Sequence, residues 1–167
     1  SINNLSLNEN DLGDFKTFLK LSPPLRLEND RIGLVEGIKS GLIDVIVSDH
    51  TPEDEESKRL PFAQAATGAI GIETLLPLAL EMYHNESLTL SKIIETLTIN
   101  PAKILKIDKG TLKKGSEADI CVFDLNKPWI VSANNLKSKS KNSAIEGRKL
   151  QGKVFMTFLN GELVFKS

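Results

Sequence analysis

Asp49 is the sharpest chemical candidate in the sequence. It follows Leu42-Ile43-Asp44-Val45-Ile46-Val47-Ser48, a mostly β-branched apolar run, and precedes His50-Thr51-Pro52. A carboxylate placed there can ligate a metal, accept a proton, or receive backbone N–H bonds within its own turn, residues 49–52. His50 also invites a metal, yet neighbouring residues of a strand face opposite sides. His84, after a helical pattern, suits a helix C-terminus, where the dipole favours a cation. Two histidines and one cysteine, with no His-x-His or Cys-x-x-Cys, cannot assemble an ordinary zinc site within the chain. Gly68-Ala69-Ile70-Gly71 lacks the glycine spacing and preceding strand of a phosphate loop. No serine elbow or Cys–His pair is visible, and Cys121, inside an apolar run, reads as a buried small hydrophobe.

The elements that must position Asp49 follow from periodicity. Residues 1–28 end in the Pro23-Pro24 pair and read as a loop. A helix is predicted over 29–40 with Ile32, Val35 and Ile38 on one face, Asn29 or Asp30 as its cap, and Ser40-Gly41 as its stop. Residues 42–48 read as a buried parallel strand, which places Asp49 at the C-terminal end, where α/β sheets hold ligands. Residues 51–68 are predicted to be a long loop. Helices follow over about 69–83 and about 90–98 after Thr89, and a third opens at Asn100-Pro101, an Asn cap with Pro at the first helical position. From Gly110 the pattern alternates: 119–124 and 129–131 read as strands, and 154–159 and 163–165 flank the hairpin signal Asn160-Gly161. Residues 132–149, with Lys137-Ser138-Lys139-Ser140-Lys141, are either an anion-binding patch or, as expected here, a solvated loop. The two halves suggest two pieces, residues 1–105 and 106–167.

Composition bounds the function. The 167 residues carry 21 Lys plus Arg against 22 Asp plus Glu, a formal net charge of −1, with 40% hydrophobic residues. That profile suits a globular chain. The balanced charge argues against a nucleic-acid partner. No run approaches 18 apolar residues, so no membrane-spanning helix is expected, and no signal peptide is visible. The lone cysteine permits no internal disulfide and suits a reducing cytoplasm.

Ser22-Pro23-Pro24-Leu25-Arg26, Gly41 to Asp44 leading into Ser48-Asp49-His50-Thr51-Pro52, then Lys58, Pro61-Phe62, Gly68 and Gly71-Ile72-Glu73-Thr74 together resemble the class I dihydroorotase pattern. Thr98-Ile99-Asn100-Pro101-Ala102 is similar to the amidohydrolase "T-x-N-P-A" helix, and Lys109 to Asp124 to the tail of that superfamily. The resemblance covers essentially the whole chain. It implies an α/β fold: the C-terminal portion of a (β/α)₈ TIM barrel of the metal-dependent hydrolase type, plus part of a small β-sandwich. A complete barrel needs roughly 250 residues; the match would be about the last two-fifths of such a protein, with residues 42–48 as the eighth strand. The His-x-His, the carboxylated lysine and two further histidine ligands would lie upstream of Ser1. The fragment alone is expected to be inactive and to need the remainder of the barrel.

The implied activity is a cytoplasmic, zinc-dependent interconversion of N-carbamoyl-aspartate and dihydroorotate in pyrimidine synthesis. The family's metal-binding and proton-transferring aspartate maps onto Asp49. Substrate contacts map onto Ser22, Glu53, and the backbone of Thr67 and Gly68 ahead of a helix starting near Ala69. Three positions depart from the pattern: Ser22 for an asparagine, Glu53 for a second histidine, and Ala66 for a proline. A carboxylate at position 53 would repel a carboxylated substrate. The alternatives are a hydantoinase- or allantoinase-type enzyme, and a non-catalytic dihydroorotase-like subunit scaffolding aspartate transcarbamoylase. The family also suggests a homodimer.

Overall fold

The computed structural model describes all 167 residues. The chain runs through α1 (Ile2–Ser6), α2 (Glu28–Ser40), α3 (Glu55–Arg59), α4 (Leu75–His84), α5 (Leu90–Leu97) and α6 (Ile99–Leu105). It then enters a sheet of β1 (Ile120–Ile130), β2 (Lys149–Leu159) and β3 (Glu162–Lys166). No helix is long and apolar enough to cross a membrane.

Helix α2 ends as its sequence predicts, with Gly41 in the left-handed region at φ 80°. Its start differs: Leu27 takes the cap position without a side-chain bond, and Asn29 and Asp30 lie inside the helix. Glu28 and Asp30 instead favour the first turn through the helix dipole. Hydrogen bonds from Arg31 and then Asn8 hold the Glu28 carboxyl down at about 2. Val35 and Ile38 are buried, whereas Ile32 is 46% exposed.

The stretch 42–48 is extended but joins no ladder. It is held by Ile2 N–H to Val47 O (2.9 Å), Ile46 N–H to Thr96 O (3.2 Å) and Asn100 Nδ2 to Asp44 O (3.0 Å). A strand exists only through hydrogen-bonded neighbours, and no flanking strand lies within these residues. Leu42 is accordingly 83% and Val47 51% exposed, while Ile46 is buried. Two isolated parallel bridges follow it, His50 with Ala69 and Ile70 with Ser143.

The expected loop over 51–68 contains α3, capped by the Asp54 side chain on Ser57 N–H (2.7 Å). The next helix begins at Leu75, six residues later than its apolar pattern suggests, because Ala69 is taken up in the bridge to His50. Thr89 caps α5 as expected. Helix α6 starts at Ile99 without a side-chain cap, since the Asn100 amide is turned to Asp44.

Twenty buried residues form one core cluster. Leu78, Ala79 and Met82 of α4 and Ile93 of α5 meet Ile2, Leu5, Ile38, Val131, Leu136, Ile145 and Leu150 there. Each fully buried large aliphatic side chain contributes about 1.5–3 kcal/mol. Residues 132–149 are therefore not a wholly solvated loop: Leu136, Asn142, Ser143 and Ile145 are buried, while the four lysines, Asn134, Asn135, Glu146 and Gly147 face water.

The sheet is antiparallel in the order β1-β2-β3. The two strands expected over 119–131 merge into β1, with a register break between Asp124 and Pro128, where Asp124 Oδ1 accepts the N–H groups of Asn126 and Lys127. Asn160 and Gly161 take φ 51° and 83°, the left-handed values the hairpin requires. Every β3 residue is exposed, and so is Cys121, which corrects its expected burial. His84 closes α4, and its Nε2–H donates to Leu125 O (3.0 Å).

Gly152 is where the sheet meets α4. Its φ is +101°, and a Cβ there would sit 2.5 Å from Leu80 Cδ1. Gly152→Ala is expected to destabilise by about 1–3 kcal/mol. A thermal melt should show this as a midpoint several degrees lower.

Candidate active site

Asp49 closes the extended stretch in a left-handed backbone conformation, φ 51°. Such a conformation is uncommon for a residue with a Cβ, and Asp tolerates it better than most. It costs on the order of 1–3 kcal/mol and persists only where the surroundings enforce it. The carboxylate is half-buried and accepts no hydrogen bond from the chain, so the turn 49–52 is not held by an Asp cap. What the turn presents is a free anionic side chain.

Three segments, 50–51, 69–71 and 137–143, meet at that turn. His50 Nδ1 accepts the N–H of Gly71 (3.1 Å), a bond open only to an unprotonated ring nitrogen, and Thr51 N–H donates to Ala69 O (2.8 Å). These tie 50–51 to 69–71. Gly71 needs its bare Cα here, because a Cβ would lie 2.4 Å from Ser48 O. The third segment is 137–143. Glu73 accepts the N–H groups of Lys137 (2.9 Å) and Ser138 (3.0 Å), and Ser138, Lys139 and Ser140 line an open polar cleft with His50, Pro52 and Glu53.

Two buried polar side chains complete the frame. Asn142 is 2% exposed; its Nδ2 donates to Thr51 O (3.1 Å) and Gly68 O (3.2 Å), while its Oδ1 accepts Glu53 N–H (3.3 Å). Lys58 is fully buried, and its Nζ donates to Ala66 O (2.9 Å), Gly68 O (2.9 Å) and, more weakly, Lys20 O (3.5 Å). Removing an ammonium from water costs several kcal/mol, which carbonyl partners must offset. Burial pushes the Lys58 pKa down, opposed by the nearby charge of Glu53.

The expected substrate contacts divide on this frame. Glu53 is half-buried beside the cleft. Gly68 is buried, its N–H given to Lys20 O (2.9 Å) and its carbonyl shared by Lys58 and Asn142. Thr67 is exposed with its N–H unused, but it does not stand at a helix start: α4 begins at Leu75, which removes the helix N-terminus as the source of free donors. Ser22 is exposed with no side-chain hydrogen bond, two residues from the Lys20 carbonyl that Gly68 binds. Asn142, hidden in a Lys/Ser-rich stretch, was not visible as a site residue; its one signal was the apolar Leu136 and Ile145 on either side.

A free carboxylate on a fixed turn fits one position of a metal's ligand set. It does not make a whole set, and no group of three or more His, Cys, Asp or Glu in these residues could hold an ion.

Comparison with known proteins places the chain. It is 45% identical over 161 residues to a dihydroorotase of Ehrlichia canis and 43% identical over 164 residues to one of Aquifex aeolicus. These alignments cover 96% and 98% of this chain but 36% and 39% of the relatives. The chain thus spans little more than a third of the length of the relatives it matches. Among solved structures, an L-hydantoinase (dihydropyrimidinase) from Arthrobacter aurescens superposes with a TM-score of 0.90 at 33% identity, over 99% of this chain and 38% of that one. A dihydropyrimidinase from Brevibacillus agri gives 0.90 at 25% identity, over the same shares. The mixed helix-and-strand fold agrees with the expected portion of an amidohydrolase barrel. With the amidohydrolase pattern matching residues 8–164, the chain belongs to the amidohydrolase family.

Proposed function

We propose that the complete polypeptide carrying this chain is a metal-dependent cyclic amide hydrolase of dihydroorotase type, with Asp49 as a metal ligand and as the group that moves the proton. The observation that carries this is the unpaired Asp49 carboxylate on a strained, externally braced turn. The dihydroorotase relatives, at 43–45% identity, support the substrate class.

A metal, zinc by the family resemblance, would be held in part by Asp49 and would supply a water acidic enough to ionise near neutral pH. Asp49 is the residue of this chain that would take a proton from the attacking water and hold it on its carboxylate. As the carbon–nitrogen bond of the ring breaks, Asp49 delivers the proton to the departing nitrogen; closure of N-carbamoyl-aspartate runs the same path backwards. The exposed Thr67 N–H and Ser22 hydroxyl are donors available to the ring and its substituents. Gly68 contributes through the backbone it fixes, since its own N–H is engaged with Lys20. The remaining ligands come from outside these residues, consistent with the exposed apolar Leu42 and Val47, which neighbouring barrel strands would cover. In this reading residues 1–105 complete the barrel and 106–167 a small β-sandwich, in a cytoplasmic enzyme. A second copy or an aspartate transcarbamoylase would be its protein partner.

Glu53 favours one second reading. A carboxylate lining the cleft disfavours a carboxylated ring, so an uncarboxylated cyclic amide of the hydantoin or dihydropyrimidine class is the alternative substrate. The hydantoinase-type solved structure, at 33% identity, supports it.

Asp49→Asn in the complete zinc-loaded polypeptide is expected to lower kcat for dihydroorotate hydrolysis by about 10²–10⁴-fold. Turnover within twofold of the wild type would remove Asp49 from the mechanism. Glu53→Gln is expected to lower KM for dihydroorotate severalfold and leave KM for dihydrouracil unchanged, measured side by side. Equal effects on both substrates would remove the repulsion argument.

A further inference from the structure

The active-site turn is braced from outside by two residues to which the chemistry assigns no part. Asn142 reaches both edges of the site, donating to Thr51 O and Gly68 O and accepting from Glu53 N–H. Its own carbonyl accepts Ile70 N–H (3.2 Å). Lys58 meets the same Gly68 carbonyl from the other side at 2.9 Å. One peptide oxygen thus joins an ammonium from α3 to an amide from the segment before β2. Both side chains are sealed from water; loss of Asn142 takes the side-chain donor from Thr51 O, loss of Lys58 takes it from Ala66 O, and either loss leaves Gly68 O with one donor in place of two.

Resting on the proposed hydrolase reading, we propose that Lys58 and Asn142 are positioning residues: through Gly68 and Thr51 they hold the turn that carries the Asp49 carboxylate in its reactive placement. Neither touches the reacting atoms. Their effect falls on kcat, because a displaced proton carrier slows the chemical step while the ring still binds; a misplacement of about 1 Å costs up to roughly 100-fold.

The test uses the complete polypeptide with Asn142→Ala, Lys58→Met and Lys58→Arg. Asn142→Ser, whose hydroxyl is too short to span both loops, serves if Asn142→Ala does not fold. Two quantities are read on folded protein: kcat and KM for dihydroorotate, and amide hydrogen exchange in peptides covering 49–53 and 66–72. The expected result is a kcat loss of tenfold or more in Asn142→Ala and Lys58→Met with KM within twofold, faster exchange confined to those two peptides, and substantial recovery in Lys58→Arg, which keeps its donors. Unchanged kcat with unchanged local exchange overturns the proposal, and so does exchange that rises equally throughout the protein. If the wild-type polypeptide does not turn over dihydroorotate, the functional reading fails, and local exchange alone still decides whether these two side chains hold the turn.

Discussion

The Gly68 carbonyl is the point on which the site depends. It accepts from a fully buried ammonium and a fully buried amide, and the glycine's own N–H goes to Lys20 O. Its φ of +138° and the 2.6 Å separation between a hypothetical Cβ and Thr51 Cγ2 leave no room for any other residue. Lys58 is tolerable inside the protein only because carbonyls surround it, and those carbonyls converge only because 58–68 is folded back on itself through α3. The same convergence brings Thr51 beside Gly68 and leaves Asp49 in its left-handed turn.

The exposed apolar side chains show the complementary constraint. Apolar side chains at Leu42 and Val47, and along β3 at Leu163, Val164 and Phe165, face water. Single exposed hydrophobics are ordinary, but an extended stretch without pairing and a sheet with an uncovered apolar edge call for neighbours. The turn that carries Asp49 is braced by side chains of this chain itself.

Much of the fold was legible in local chemistry. Gly41 as a helix stop, Thr89 as a cap, and Asn160-Gly161 as a hairpin each depend on one or two residues and hold in the structure. What failed depends on distant partners. Residues 42–48 have a strand's composition but no strand beside them, and Ala69-Ile70 have a helix's apolarity but are used to pair with His50 and the 142–143 segment. The site divides the same way. Asp49 was visible because an isolated carboxylate after an apolar run is conspicuous. Lys58 belongs to the family pattern, but its acidic and basic neighbours give no local sign of its burial, and Asn142 lies 93 positions from Asp49 amid lysines and serines. Their significance comes from burial, which no local pattern reveals.

The central claim is that the free Asp49 carboxylate is one donor of a metal centre completed by the rest of the polypeptide. Anomalous diffraction at the zinc edge from crystals of the complete zinc-loaded protein tests it most directly. The account predicts an ion about 2.0–2.2 Å from an Asp49 carboxylate oxygen. A metal bound by other residues with Asp49 outside its coordination shell, or no metal in that protein, would contradict it.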